Sequence, residues 1–332
     1  MTKPSLVVWM SRSFWGAVIL GVLLVGGVFC LFAMRFLIDR PPFVHGDYAV
    51  LKSIARTIWL GMSIGAMVGA TIAPPMIVWL GGKYGWRAAF FATAIAGLMW
   101  LLPWLLLYRV GPFAEHGGAV RVPEVQLWRF VLTNRSAWLL MFARMLSDPV
   151  WYFYLFWFPK YLMDGRGRTL AEVGRIAWIV YLAADLGSII GGWCSGPLIR
   201  RGMKPIPARI RVMTAAALIA PAGCLIGFGV SLPVVLALAA VVTFAHLTWQ
   251  VTMGALIVDL YPKAVMATAF GFIAAGSGFG GMLSTSAIAW LVTHISYRPV
   301  FLLMALLHPL ALLLARQVGN PRILPLQVDT SS

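Results

Sequence analysis

Charged residues are scarce in this chain, and acidic residues are the scarcest of all. Only 11% of its 332 residues are Asp, Glu, Lys or Arg, and just 10 are acidic. A soluble globular domain has roughly 25% charged residues, whereas this chain is 61% hydrophobic with a mean hydropathy of +0.88. The composition excludes an ordinary soluble domain and indicates a protein embedded in a lipid bilayer.

The sequence also lacks the common signatures of catalysis and metal binding. It contains no HExxH, GxSxG or GxxxxGK(S/T) pattern and no cluster of carboxylates. Its 3 cysteines, Cys30, Cys194 and Cys224, lie in different apolar runs without CxxC spacing, which is typical of small packing residues. The sequence therefore predicts no enzyme, no metal site and no cofactor.

A net charge of +16 could suggest a nucleic-acid partner. The 26 Lys and Arg, however, lie mostly in short connections between apolar runs and not on one face or in one tail. That distribution is what the positive-inside rule of membrane proteins produces. We therefore expect the lipid bilayer, and not nucleic acid, to be the partner of the basic residues.

Nine apolar runs are long enough to cross a hydrocarbon core of about 30 Å. They lie at about 14–37, 57–80, 86–108, 137–160, 173–196, 212–230, 232–256, 268–293 and 299–316. The longest polar connection separates three runs from six. The pattern predicts an all-α polytopic membrane protein with a truncated N-terminal half-bundle at 1–108, a loop at 109–135 and a six-helix bundle at 136–332.

Lys and Arg divide unevenly between the two ends of these runs. The connections on the side of 109–135, together with the C-terminus, hold fifteen of them, and the other side holds nine. By the positive-inside rule, the 109–135 loop and the C-terminus are predicted to face the cytoplasm. The N-terminus would then lie outside.

A motif near residue 80 returns 211 residues later. The matched pairs are Trp79 and Trp290, Leu80 and Leu291, Trp86 and Tyr297, Arg87 and Arg298, Phe90 and Phe301, Gly65 and Gly276, and Gly69 and Gly280. A long internal repeat in an apolar chain is typical of a transporter built from two related halves. The offset numbers the nine runs as helices four to twelve of twelve, and the first three helices have no counterpart in this chain.

The densest group of polar and aromatic side chains follows Arg144. Arg144 and Asp148 are four residues apart, so they share a helix face and are expected to pair. A charge inside a membrane helix costs roughly 2.5–3.5 kcal/mol on insertion scales, so such residues normally face a cavity or a partner. Pro149 is expected to kink the helix. The aromatic candidates for a platform beneath a sugar ring are Trp151, Tyr152 and Tyr154, for which an aromatic belt at the membrane surface is the alternative.

The seventh run carries His246, Trp249 and Gln250 close together. Such groups can hydrogen-bond a polyhydroxylated substrate and are costly to bury unpaired. The 211-residue offset places His246 opposite Arg35, and polar or cationic groups at equivalent positions of two halves suit an anionic substrate. We therefore predict that Arg35, His246, Trp249 and Gln250 bind substrate, with hydrogen bonding between helices as the alternative for the seventh run.

Three acidic residues could carry a coupling proton: Asp39, Asp148 and Asp185. Asp185 lies among small residues that let helices approach closely. Asp39 stands one turn after Arg35. A tether between helices is the alternative for Asp185, and an ordinary loop residue is the alternative for Asp39.

Five segments carry a family resemblance: Ile72–Trp79 with Tyr84–Phe90, Ser147–Tyr161, Tyr181–Trp193, Phe244–Trp249 and Asp259–Lys263. They resemble the major facilitator superfamily, an MFS-type helix bundle, and more narrowly its anion:cation symporter family of sugar-acid carriers. The resemblance implies symport of a small organic anion, such as a hexuronate, with H⁺ or Na⁺ by alternating access. It further implies a monomer in the bacterial inner membrane.

The chain also departs from that family. The glycine–Asp-Arg–glycine signature after helix eight is replaced by a segment in which Arg200 and Arg201 precede Gly202, so Arg200 stands where an acid is expected. The resemblance assigns a gating role to this loop and to Asp259. Helix four of the family usually has a Glu seven residues after its Arg, but Pro42 stands seven residues after Arg35. A second interpretation therefore stays open, a truncated or decayed membrane protein of this fold that does not transport.

Overall fold

Helices make up all the regular structure in the described part of the chain. The computed structural model describes residues 69, 72–73, 75–107 and 123–319, with residues 100–107 described by their backbone alone. Within these ranges no residue forms a β-strand. The predicted all-α class is confirmed.

A helical segment at 75–84 comes first in chain order, and helices with defined bounds follow it. These are α1 Trp86–Leu107, α2 Glu124–Thr133, α3 Arg135–Tyr152, α4 Phe158–Asp164, α5 Leu170–Ile176, α6 Trp178–Arg200, α7 Pro205–Ile219, α8 Leu232–Leu260, α9 Lys263–His294 and α10 Arg298–Ala315. A π-helix, Phe153–Trp157, joins α3 to α4, and a 3-10 helix, Ala220–Phe228, extends α7. Part of the connection predicted as a loop, 109–135, is therefore helical.

Several of these helices are long and apolar enough to cross a membrane. Among the described residues they are Leu170–Arg200, Pro205–Phe228, Leu232–Leu260, Lys263–His294 and Arg298–Ala315. They coincide with predicted runs. Most of their ends lie beyond the predicted bounds, because the ends of a membrane helix reach the headgroup region, where polar residues are tolerated. The predicted total of nine includes 14–37, which lies outside the described residues, so that number stays a prediction.

The segment with the predicted kink begins with a defined cap and ends with a change of helix type. Asn134 is extended, and its side chain accepts a hydrogen bond from the Ser136 backbone N–H at 2.9 Å, which starts α3. Pro149 lies inside α3, and the helix continues to Tyr152 before it widens into the π-helix. Single π-helical turns of this kind occur frequently at functional sites.

Glycine and threonine set the distance between α6 and α8. A Cβ at Gly187 would collide with the Phe244 carbonyl oxygen, and one at Gly191 would lie 2.6 Å from the Thr248 Cα. The Thr248 hydroxyl donates to the Gly187 carbonyl at 3.0 Å. The two backbones can therefore approach only because these positions lack side chains, as the small residues around Asp185 predicted.

The same device brings α9 against α3. Side chains at Gly276 and Gly280 would collide with the carbonyl oxygens of Met141 and Met145. The glycine-rich stretch of α9 is thus a packing surface. Gly65, one of the matched glycines of the repeat, lies outside the described residues. A break between two helices occurs at Gly85 and another at 295–297, near the matched motifs, and the repeat itself stays a prediction.

Two apolar clusters fill the bundle. The first, which we call the α2-end cluster, contains Val131, Leu140, Leu256 and Val265, and the second, the α4-end cluster, contains Phe153, Phe158, Val235 and Phe301. On α3, α8 and α10, buried polar side chains occur near the boundary between these clusters, at Asp148, His246 and His308. The fold therefore places polar groups deep in an otherwise apolar bundle.

Candidate functional site

Helices α3, α8 and α10 bring a group of polar and aromatic side chains together at this boundary. The central polar cluster consists of Arg144, Ser147, Asp148, Trp151, His246, Trp249, Gln250 and His308. Most of its members were predicted as site residues, but they come from helices more than 50 residues apart in sequence.

Arg144 and Asp148 form the predicted ion pair. Arg144 Nε lies 3.0 Å from Asp148 Oδ2, and the Asp148 side chain is only 4% exposed. The Ser147 hydroxyl donates to Asp148 Oδ1 at 3.2 Å, and Gln250 Nε2 donates to Oδ2 at 3.4 Å. A buried carboxylate is tolerated when its oxygens are paired in this way, so α8 completes a pair that α3 begins.

The Arg144 side chain retains hydrogen-bonding capacity. Only its Nε bonds a described residue, whereas a guanidinium has five N–H donors in a planar fork. The guanidinium carbon lies 5.9 Å from the centre of the Phe270 ring, and the side chain is 16% exposed. The two terminal nitrogens thus form no hydrogen bond with a described residue.

Two histidines meet in the middle of the bundle. His246 Nδ1 lies 3.2 Å from His308 Nε2, and both rings are buried. One nitrogen must donate and the other accept, so this contact holds a single proton between the rings. Trp151 lies parallel to the His246 ring, with centroids 5.9 Å apart, and Trp249 meets the His308 ring edge-on at 5.7 Å.

His308 was not predicted as a site residue. The signal in the sequence is a lone histidine before Pro309 inside an apolar run. That pattern alone does not identify its partner, because His246 is 62 residues away. Only the packing of α10 against α3 and α7 brings His308 toward the middle of the bundle.

Several buried polar atoms of the cluster have no hydrogen-bond partner among the described residues. They are Trp249 Nε1, Gln250 Oε1 and His308 Nδ1. Native proteins pair nearly all such atoms, so each unpaired atom calls for an explanation. Three of the five such atoms in the described ranges therefore lie in this one cluster.

The aromatic residues that follow Pro149 point to different neighbours. The Tyr152 hydroxyl lies 3.0 Å from the Ser277 hydroxyl of α9. A cleft of about 450 Å³ runs beside it, lined by Tyr152, Phe156, Gly278, Gly281, Met282, Thr285 and Ser286. Tyr154 is 2% exposed within the α4-end cluster. The structure therefore brings Trp151, but neither tyrosine, to the histidine pair.

Asp185 lies on α6, apart from the contacts of the central polar cluster. Its Oδ2 atom is buried and has no hydrogen-bond partner in the described ranges. The proton-carrier and helix-tether interpretations therefore both stay predictions. Arg35 and Asp39 lie outside the described residues.

A second ion pair ties helix ends together away from the central polar cluster. Arg209 Nε of α7 lies 3.1 Å from Asp259 Oδ2 of α8, and Arg209 also hydrogen-bonds the Ser195 hydroxyl of α6. Arg209 was not predicted. Arg200 and Arg201 are exposed, and neither forms an ion pair with a described carboxylate.

The described ranges contain no group of three or more His, Cys, Asp or Glu side chains that could hold a metal ion. Within these ranges the two histidines of the central polar cluster belong to no such group.

Comparison with known proteins gives consistent family matches. A sequence model of the Major Facilitator Superfamily matches residues 58–272. The hexuronate transporter of Escherichia coli (strain K12) is 29% identical over 273 residues, which are 75% of this chain and 62% of that protein. The galacturonate transporter of Dickeya chrysanthemi is 30% identical over 156 residues, which are 42% and 45% of the two chains. This chain spans about three fifths of the hexuronate transporter's length.

A solved structure shares the fold. It is a bacterial homologue of the human lysosomal transporter Spinster, in an inward-facing and unoccupied conformation. The TM-score is 0.55 at 16% identity, over 80% of this chain and 69% of that one. At this identity the likeness concerns the helix arrangement alone.

Proposed function

This chain belongs to the Major Facilitator Superfamily, and on that premise we propose that it transports a sugar acid of the hexuronate type. The superfamily consists of multi-pass membrane transporters and not of enzymes. The relatives described above are named for hexuronate and galacturonate transport. We place the C-terminal half of the substrate site in the central polar cluster. We also propose that the chain divides into an N-terminal half-bundle at 1–108, a connecting segment at 109–135 and a C-terminal bundle at 136–332.

This proposal rests on the hydrogen bonding of Arg144. Asp148 binds its Nε and so holds the guanidinium in one orientation, and the two terminal nitrogens form no hydrogen bond with a described residue. Two parallel N–H donors match the geometry of a carboxylate and bind it in a bidentate manner. We propose that the carboxylate of the substrate binds there, beside the half-buried Trp151 and Gln250.

The unpaired atoms of the cluster support a polyhydroxylated ligand. Trp249 Nε1 can donate, Gln250 Oε1 can accept, and His308 Nδ1 can do either according to its tautomer. An unpaired buried polar group costs about 1–3 kcal/mol, which hydroxyl groups of a sugar acid would recover. During alternating access, atoms that are buried in one state can contact the substrate in another.

We propose H⁺ as the coupling ion, with the His246–His308 pair, Asp148 and Asp185 as the candidate carriers in the described half. The proton between the two rings belongs to the neutral pair, so a coupling proton would be bound on an outer ring nitrogen that carries a free lone pair and released from it again. Symport of one H⁺ with one monovalent anion carries no net charge. The rate of uptake should then depend on the pH gradient and not on the membrane potential. A potential of 100 mV would otherwise contribute about 2.3 kcal/mol for each charge moved across the membrane.

The test is uptake of labelled glucuronate, galacturonate and galactonate into proteoliposomes. We expect saturable uptake of at least one substrate when the outside is acidified, unchanged by a potential set with K⁺ and valinomycin. Uptake driven only by a Na⁺ gradient would contradict proton coupling. Complete absence of uptake for all three would contradict the transport proposal and favour the non-transporting interpretation. Arg35→Ala is expected to abolish uptake while the protein still inserts.

We also propose that the protein lies in a bacterial inner membrane with its C-terminus in the cytoplasm. Support comes from the fifteen Lys and Arg on the side of the 109–135 connection against nine on the other. Green fluorescent protein fused after Ser332 should fluoresce in bacterial cells, because it folds in the cytoplasm. Alkaline phosphatase activity from the same fusion position would contradict this orientation.

A further inference from the structure

Helix α2, Glu124–Thr133, is the part of the described chain that the proposed transport function does not use. One of its faces docks on the bundle. Val131 is completely buried in the α2-end cluster, and Leu127 and Phe130 pack against the same cluster while half-buried. The contacts of α2 are with α3 and α9.

A second face of α2 is apolar and exposed, and no described helix packs on it. Val125, Trp128 and Leu132 are exposed by 77%, 47% and 46%. Because successive residues of an α-helix are about 100° apart, positions i, i+3 and i+7 form one stripe. The third face carries the exposed polar residues Gln126, Arg129 and Thr133. Around the helix the order is docked face, apolar stripe, polar face.

The C-terminal end of α2 is fixed to the bundle. Asn134 is extended, with φ −88° and ψ 111°, so α2 and α3 are separate helices. The Trp138 indole N–H donates to the Leu132 carbonyl at 2.9 Å. The apolar stripe is therefore held in a definite position beside the first turn of α3.

The end of the bundle that holds α2 is strongly basic. Arg135 of α3 hydrogen-bonds Gln317 after α10, Arg316 hydrogen-bonds Thr214 of α7, and Arg209 of α7 pairs with Asp259 of α8, so these helix ends lie together. The basic residues of these ends are Arg129, Arg135, Arg200, Arg201, Lys204, Arg209, Arg211, Lys263 and Arg316. The acidic residues there are Glu124 and the paired Asp259.

We propose that α2 is an interfacial helix that binds the anionic lipid surface at this end of the bundle. The apolar stripe enters the boundary between headgroups and acyl chains, where tryptophan is favoured, and the polar face remains in water. Arg129 and the neighbouring basic residues contact anionic headgroups. A helix with one side on the bundle, one apolar side and one polar side fits the edge where protein, lipid and water meet.

The test uses the full chain with Cys30, Cys194 and Cys224 replaced by Ala. Val125→Cys and, as a control on the polar face, Gln126→Cys are labelled with a nitroxide in vesicles of phosphatidylcholine and phosphatidylglycerol. We expect electron paramagnetic resonance to show that oxygen collides preferentially with the label at 125 and a water-soluble nickel chelate with the label at 126. The accessibility ratio should differ several-fold between these two sites.

Equal chelate accessibility at the two positions would overturn the interfacial placement. Spin–spin broadening at 125 would also overturn it, because it would show that a second copy covers the stripe. A separate experiment tests the contact with anionic headgroups. Omitting phosphatidylglycerol should make the label at 125 more accessible to the chelate, and Arg129→Gln should reduce that lipid dependence. If lipid charge has no effect, the anionic part of the proposal is wrong.

Discussion

The protein contains two Arg–Asp pairs of nearly the same length that differ in everything around them. Arg144–Asp148 measures 3.0 Å and lies within one helix, whereas Arg209–Asp259 measures 3.1 Å and joins two helices near their ends. Of the five buried side-chain atoms without partners in the described ranges, three belong to the cluster around the first pair. The distance between nitrogen and oxygen therefore does not distinguish the two pairs, whereas the unpaired polar atoms around the first pair do.

The two pairs also differ in where they lie and in what they contact. In our proposal the central pair orients a guanidinium toward the substrate, whereas the peripheral pair joins α7 to α8 and contacts Ser195 of α6. If this distinction is correct, substitutions at the first pair should change transport and substitutions at the second should change stability.

Asp148→Asn should lower uptake at least about 100-fold. The amide keeps the size of the side chain but removes the charge that holds Arg144 Nε, which leaves a largely buried cation unpaired. Breaking such a pair costs about 3 kcal/mol, or about 100-fold in a rate. Initial uptake rates in proteoliposomes, corrected for the amount of inserted protein, measure this loss.

The matched control for that variant is Asp259→Asn, which removes the same charge from the peripheral pair. Its uptake should stay within about threefold of the wild type, because the pair is partly exposed and such pairs contribute only about 1 kcal/mol. Equal losses of uptake in both variants would remove the distinction between the pairs.

Trp249→Phe should raise the substrate KM about tenfold with little change in melting temperature. The phenyl ring fills most of the same space but lacks the indole N–H, and a lost neutral hydrogen bond costs about 1 kcal/mol or slightly more. Tyr261→Phe is the control, because its hydroxyl is also buried and has no partner among the described residues, but it lies just after the end of α8, twelve residues beyond Trp249. A similar rise in KM in both variants would contradict the assignment of Trp249 to the site.

Arg209→Gln should lower thermal stability modestly while transport continues. It removes the contacts with Asp259 and Ser195, and a partly exposed pair of this kind contributes about 1 kcal/mol. The purified variant should melt a few degrees lower and keep its KM. An unchanged melting temperature together with a large increase in KM would assign the peripheral pair to substrate binding.

The smallest effect is expected at a surface pair outside the membrane-spanning segments. A hydrogen bond with Lys160 lowers the pKa of Asp164, and the Tyr297 hydroxyl also donates to it. Burial and the Asp164 carboxylate raise the pKa of Tyr297 to about 12. Because the folded pKa of Asp164 is depressed, its stabilisation is present above the usual aspartate pKa and is lost as pH falls through the lowered value.

Melting temperatures of the wild type and Asp164→Asn should accordingly differ slightly at neutral pH and converge under strongly acidic conditions. A difference that grows as the pH falls would contradict the depressed pKa. The Lys160 contact should show the same trend in a Lys160→Gln variant.

Local spacing was enough to predict part of the site. The four-residue interval between Arg144 and Asp148 predicted their pairing, because residues so spaced share a helix face. The small residues around Asp185 on α6 were likewise identified as packing positions, and Gly187 and Gly191 do lie against the backbone of α8. These features could be predicted because each depends on the residues of a single helix.

Contacts between distant helices could not be predicted in this way. Nothing local to His308 or Arg209 shows that they meet His246 and Asp259, since those partners lie 62 and 50 residues away. Helix α2 was missed for a different reason. The glycines and prolines at 109–123 suggested a loop. A helix of 10 residues is also too short to cross a bilayer, so it leaves no long apolar run in the sequence.

The most direct measurement of the central claim is a structure of the protein with galacturonate or glucuronate bound. The account predicts the substrate carboxylate within hydrogen-bonding distance of the terminal nitrogens of Arg144, with sugar hydroxyl groups at Trp249 Nε1 and Gln250 Oε1. A bound sugar acid that contacts the Arg209–Asp259 pair, or that lies away from both Arg144 and Trp249, would contradict it.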